Sequence, residues 1–242
     1  MRLVVGISGA TGAIYGIRLL EILRIEGVQT DLIISDWARV TIQQETSYSV
    51  AQVEALATEV YSNKNLAAAI SSGSFRIDGM IIAPCSMKSL AAIRSGFAAD
   101  LLTRAADVTL KERRKLVLLP REAPLNDIHL ENMLVLSRMG AVMIPPVTAF
   151  YNQPKTIAEV IDHLLYRVLD QFGIDVPAAV RWTGLRTGRQ YASSNLNEPQ
   201  WQSLNSEISV DKLEGEGQLL GISRSDAIYH ERGVDEGLQR PS

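Results

Sequence analysis

The apolar positions of this chain fall into two alternating patterns. Short unbroken runs rich in Val, Ile and Leu occupy residues 2–8 (RLVVGIS), 28–35 (VQTDLIIS), 78–86 (DGMIIAPCS), 115–122 (KLVLLPRE) and 141–147 (AVMIPPV). Between them, apolar residues recur with helical spacing. Residues 12–27 place Ile14, Ile17, Leu20, Ile22 and Leu23 on such a period and close with Gly27 at a C-cap position. The same spacing predicts helices over 36–45, 49–61, 87–96, 100–114, 128–140 and 156–173. Strands that read as continuous apolar runs, without alternation, are buried on both faces, which implies a parallel sheet covered by helices. The β-α-β order implies right-handed crossovers and a doubly wound, mostly parallel α/β fold of the Rossmann/flavodoxin-like kind, with helices on both faces.

This pattern fades near residue 185. Residues 186–242 are polar, rich in Gly and Ser and weakly periodic, and read as an extension that is partly ordered at best. The alternative is a segment that wraps a neighbouring subunit through Trp201, Leu204 and Leu219.

Composition narrows the class. Of the 242 residues 46% are apolar and 21% charged, the balance of a globular domain with a substantial core. The net charge of −3 favours neither nucleic acid nor an anionic membrane. The single cysteine, Cys85, has no internal disulfide partner and no Cys/His spacing suggests a metal, which fits a reducing cytoplasm. The first apolar stretch is broken at Gly6, Ser8, Gly9 and Thr11, too early for a signal peptide, and no run reaches the length of a membrane span.

Ligands of open α/β sheets bind outside the carboxyl ends of the strands. The residues that follow each run are therefore the candidates for chemistry: Ser8, Gly9, Ala10 and Thr11, then Ser35 and Asp36, then Pro84 to Ser89, Pro120 to Pro124, and Pro145 to Pro154. The first of these loops, GISGATGAIYG, is not a P-loop, because Ile14 and Tyr15 stand where Lys and Ser/Thr are required. Nor is it a good dinucleotide fingerprint, since counting from Gly6 puts Ser8 and Thr11 at two of the three glycine positions. Hydroxyls beside helix N-terminal amides suit a single phosphate, so a mononucleotide fits better. Asp36 falls near the place of a ribose-binding acid, a weak signal on its own. Ser86 reads equally as a helix cap or as part of a second anion site, and Cys85 as a small buried thiol.

The segments GISGATGAIYG, PCSMKSLAAI, LVLLPREAPL, TAFYNQP and LLYRVLD, in this order and spacing, resemble the UbiX-type flavin prenyltransferases, which include B subunits associated with hydroxyarylic acid decarboxylases. The resemblance spans residues 1–185 and implies a flavin-binding prenyltransferase domain. It implies transfer of a dimethylallyl group from dimethylallyl monophosphate to N5 and C6 of reduced FMN without a metal, giving prenylated FMN for a UbiD-type decarboxylase. By motif, FMN would be held by Gly9, Ala10, Thr11, Ser35, Ser86, Met87, Lys88, Ser89 and Arg121, and the prenyl phosphate by Tyr151 and Arg167. Lys111, Glu122, Glu45 and Trp182 match catalytic positions, with Glu45 and Glu122 the two candidate bases. Thr11 keeps the hydroxyl of the serine more usual there. The resemblance further implies a homo-oligomer, often a dodecamer, in which a lysine such as Lys111 reaches a site at a subunit interface. Two other functions share the fold. A phosphopantothenoylcysteine-type flavin-dependent decarboxylase requires a histidine in the N-terminal half, where this chain has none before His129. A non-catalytic FMN-binding decarboxylase subunit would not require a second phosphate site.

Overall fold

A computed structural model describes residues 1–184; the extension over 186–242, with Trp201, Leu204 and Leu219, lies outside the described residues. Six strands form one sheet: β1 (Arg2–Ile7), β2 (Gln29–Ile34), β3 (Glu59–Ser62), β4 (Gly79–Cys85), β5 (Lys115–Pro120) and β6 (Val142–Met143). The spatial order is β3-β2-β1-β4-β5-β6 and every pairing is parallel. The chain winds outward from β1 in one direction and from β4 in the other, so the order reverses between β1 and β4 and a crevice opens there at the carboxyl ends.

Strand residues alternate between two cores although the runs look uniformly apolar. Leu3, Val5, Ile7, Leu32, Ile34, Ile81, Ala83, Val117 and Leu119 face α1 (Ala13–Ile25), α2 (Asp36–Glu45), α3 (Val50–Glu54) and α7 (Ile157–Asp170). Val4, Ile33, Met80, Ile82, Leu116 and Leu118 face α4 (Met87–Ser95), α5 (Leu101–Lys111) and α6 (Asp127–Arg138). Helices on both faces explain why the strands carry no polar alternation. Gly16 lets α1 press onto the sheet, since a Cβ there would lie 2.4 Å from the Ala83 carbonyl oxygen. The buried Asp31 carboxylate is neutralised by Arg2, whose Nε and Nη2 each donate at 2.7 Å in a bidentate pair.

Two expectations are corrected. The helix anticipated over 49–61 ends at Glu54, and Glu59–Ser62 is the edge strand β3. Thr58 and Thr30 exchange backbone-to-hydroxyl hydrogen bonds at 3.0 and 3.2 Å, which docks the chain against β2 before a helix could continue. The strand anticipated over 141–147 is only Val142–Met143, because Pro145 and Pro146 have no N–H to extend the ladder beyond Ile144.

Candidate active site

The crevice at the strand-order reversal holds a cavity of about 490 Å³ lined by Gly9, Ser35, Asp36, Trp37, Asn63, Lys64, Ser86, Lys88, Ser89, Ala99, Asp100 and Leu102. It lies in the size range of small-molecule sites. Local sequence builds each wall. Ser86 caps α4, its Oγ accepting from the Ser89 amide at 3.3 Å, so the first-turn amides of Met87 and Lys88 are left for a ligand. Ser35 caps α2 in the same way through the Ala38 amide, at 3.2 Å. Gly9 lies against Trp37, where a Cβ would come within 2.4 Å of the indole-bearing carbon, so only glycine lets the first loop pack against the start of α2 at the cavity wall. These donors, two capped helix starts and an exposed lysine, are those a nucleotide phosphate requires, so the residues present fit FMN.

Ser8 plays a different part from the one its position suggested. It is fully buried, its Oγ donating to the Pro84 carbonyl at 2.9 Å and accepting from the Ser86 amide at 2.7 Å. Its hydroxyl ties the first loop to the third and is closed off from solvent. The N-terminus of α1 is likewise occupied from within: Glu45, the last residue of α2, accepts from the amides of Gly12 at 2.8 Å and Ala13 at 3.3 Å. The anion position at α1 therefore holds a carboxylate of the protein itself, and α4 offers the open one.

A second cavity of about 520 Å³ opens on the other side of this loop, lined by Thr11, Gly12, Ile14, Tyr15, Arg121, Pro146, Thr148, Ile157, Val160 and Ile161. Half-burial pushes the Tyr15 phenol up, against an opposing pull from Arg121. Glu122 is exposed beside it, its Oε1 accepting from the Ala123 amide at 3.1 Å.

A third cavity of about 420 Å³ is lined by Tyr151, His163, Tyr166, Arg167, Asp170, Ala179, Val180, Arg181 and Trp182. Here the aromatic rings of Tyr151 and Trp182 meet edge to face with centroids 5.7 Å apart. Arg167 binds Asp170 at 2.8 Å, and Arg181 binds the same carboxylate at 2.8 and 3.1 Å. Arg181 also pairs with Asp175. A phosphate that drew Arg167 away would thus leave Asp170 still paired, so recruiting this arginine does not strand a charge.

The structure therefore sorts the expected site residues into groups. Gly9, Ser35, Ser86, Lys88 and Ser89 share the first cavity, with Ala10 and Met87 in its supporting turns. Thr11 and Arg121 share the second, closed by the loop that Glu45 anchors. Tyr151, Arg167 and Trp182 share the third. Lys111 joins none of them: it ends α5 at the amino end of the strands, just before β5 begins and away from the carboxyl-end crevice, and pairs there with Glu112 beside Gly73. Residues not anticipated are Trp37, Asn63, Lys64, His163, Asp170 and Arg181. Asn63 was hidden by the missed strand β3; its Oδ1 and carbonyl oxygen accept from Leu102 and Leu101 at 3.0 and 2.8 Å, holding the start of α5 against the first cavity. The β-branched and aromatic run TEVYS was the available signal. Cys85 is buried and its thiol is pushed up to about 12 by desolvation alone, which suits a core residue. Among the described residues no group of three His, Cys, Asp or Glu is placed to hold a metal, and no helix is long and apolar enough to cross a membrane.

A doubly wound sheet with a crevice at the strand-order reversal is the architecture of nucleotide-binding proteins, and the model of the Flavoprotein family matches residues 1–168. A protein of Bacillus subtilis (strain 168) named "Probable UbiX-like flavin prenyltransferase" is 63% identical over 185 residues, 76% of this chain and 91% of that protein. Two crystal structures superpose with TM-scores of 0.75. One, a dodecameric FMN-dependent UbiX-like decarboxylase from Escherichia coli O157:H7, is 58% identical and covers 76% of this chain and all of its own. The other, AnUbiX (PadA1) in complex with FMN and dimethylallyl pyrophosphate, is 53% identical and covers 76% of this chain and 98% of its own. The chain belongs to the UbiX-like flavin prenyltransferases.

Proposed function

We propose that this chain prenylates reduced FMN at N5 and C6 with dimethylallyl monophosphate and hands the product to a UbiD-type decarboxylase. The observation that carries this is the presence of two distinct anion-type cavities, one of capped helix starts and one of arginine and aromatic rings. FMN binding alone does not need the second of these. The neighbour crystallised with FMN and dimethylallyl pyrophosphate supports the pairing of flavin with an allylic phosphate.

When bound, the reduced flavin supplies nucleophilic N5 and C6. The rest falls to this chain. The Met87 and Lys88 amides and the hydroxyls of Ser35, Ser86 and Ser89 hold the FMN phosphate and ribityl chain, with Gly9, Ala10, Thr11 and Arg121 against the remainder of the flavin. Arg167 and the Tyr151 hydroxyl stabilise the leaving phosphate by fixed charge and hydrogen bonding, in place of a metal. The rings of Tyr151 and Trp182 face the allylic group, shield it from water and favour its developing positive charge. A carboxylate, Glu45 or Glu122, or the departing phosphate takes the proton lost at C6. Tyr151 and Arg167 sit in a different cavity from the capped helices, and Lys111 lies at the opposite, amino end of the strands. A homo-oligomer in which neighbouring copies bring these groups together satisfies both facts, and the dodecameric E. coli relative supports it.

The test is direct. Purified protein, reduced FMN and dimethylallyl monophosphate are mixed anaerobically and the flavin is weighed by mass spectrometry. A mass gain of one prenyl group supports the proposal. An unchanged flavin with both the monophosphate and the pyrophosphate overturns it.

A further inference from the structure

His163 lies in α7 one helical turn before Arg167, so the two share a face. It is 7% exposed, one of few polar side chains in the core. Its Nε2 is 3.0 Å from the Tyr151 hydroxyl oxygen, and the two rings meet edge to face at 5.2 Å. Tyr151 is thus held between His163 and Trp182, in the cavity that also contains Arg167.

A phenol has one hydrogen to give and can accept through its oxygen. If the imidazole accepts that hydrogen, Tyr151 has nothing left to donate. If the imidazole donates, the phenolic hydrogen is free to turn to the cavity. Phosphate oxygens act as acceptors, so a bound allylic phosphate demands the second arrangement. We infer that His163 is the positioning residue for Tyr151: its Nε2–H donates to the phenolic oxygen and turns the Tyr151 hydrogen onto the phosphate of the allylic substrate. This rests on the prenyltransferase function proposed above.

The surroundings suit a neutral imidazole in that role. The charged groups around it are Arg167, Asp170, Glu159 and Asp162 on its own helix and Arg181 from the segment after it, with Tyr166 and Asn152 completing the walls. Burial first, then Arg167, holds the imidazole below its ordinary range, against a smaller opposing pull from Asp170. A neutral imidazole carries one N–H, and the tautomer with it on Nε2 is sufficient. It orders the phenol without adding a third cation beside two arginines.

The experiment is a double-substitution cycle on the full chain in the anaerobic prenylation assay, with dimethylallyl monophosphate varied at saturating reduced FMN. H163F is expected to raise KM for the allylic phosphate about tenfold, the size of one lost hydrogen bond, with FMN affinity unchanged. H163Q, which restores an N–H, should recover most of the loss. In a Y151F background H163F should change nothing further, because the hydroxyl it orients is gone. Should H163F fail to bind FMN, H163N, whose amide stops short of Tyr151, replaces it in the same cycle. An active wild type with H163F unaltered overturns the inference, as does a double variant in which the two losses multiply. A wild type that yields no prenylated flavin with either the monophosphate or the pyrophosphate overturns the proposed function, and the inference with it.

Discussion

The cavity at the strand ends and the cavity along α7 are built by opposite means. The first is made of backbone: Ser35 and Ser86 cap their helices, Gly9 lets the first loop pack against the start of α2, and the amides of Met87 and Lys88 supply directed partial charge. The second is made of side chains, with Arg167 and Arg181 around Asp170 and the rings of Tyr151, His163 and Trp182 in contact. Backbone donors are fixed before a ligand arrives and suit a nucleotide that must be gripped through the reaction. Side-chain charges can exchange partners, as Arg167 can with Asp170, and suit a phosphate that arrives in one state and departs in another. On the function proposed above, the contrast separates a phosphate held through the reaction from one that leaves during it.

Substitutions can break the two cavities separately. The largest effect is expected for Arg167→Ala: kcat/KM for prenylation falls at least about a hundredfold while FMN stays bound, read by flavin mass and fluorescence quenching. Loss of FMN from this variant would show that the two cavities do not divide the phosphates in this way. Gly9→Val should do the reverse, driving Trp37 into the first cavity and weakening FMN binding by roughly tenfold or more, with turnover recovered at high FMN. Arg2→Met touches neither cavity and leaves Asp31 buried without a partner. It should cost about 2–3 kcal/mol in urea unfolding, because one member of the pair is partly exposed, with prenylation intact. Ser86→Ala removes a helix cap and should cost about 1 kcal/mol, with a modest rise in the FMN dissociation constant. Smallest is the response of Cys85. Its thiol, pushed up to about 12, should resist alkylation at pH 8.5 in the native state and react at once in denaturant. The linked pH effect has one sign: as pH rises above the ordinary thiol range, the unfolded chain loses this proton while the native state keeps it, so stability falls.

The four long strands and the major helices were legible because Val, Ile and Leu runs and the helical period are local signals that burial enforces. DWARVTIQQE is helical over its whole anticipated length because Ser35 caps it and Ala38 and Ile42 face the core. The edge strand β3 was not legible. Its residues are largely exposed, so burial left little periodicity to read, and pairing with β2 decided its conformation. Asn63 and Lys64 were lost with it. Ser8 shows the converse, a hydroxyl in a suggestive loop whose partners, Pro84 and Ser86, lie some 76 residues away and use it as a tie.

By itself, then, the sequence determined the doubly wound α/β class, the strand-end loops that line the cavities, and the family, because each depends on patterns within a few residues or on motifs kept in order. Tertiary structure alone decided how those motifs are used. Folding brings Glu45 onto the amides of Gly12 and Ala13 and leaves the start of α4 as the open anion site. It joins Tyr151 to His163 twelve residues on, and carries Lys111 to the amino end of the strands, away from the crevice. Hydrogen bonds and ion pairs act over a few ångströms of space, whatever the separation along the chain, and only the folded arrangement sets which groups fall within that reach.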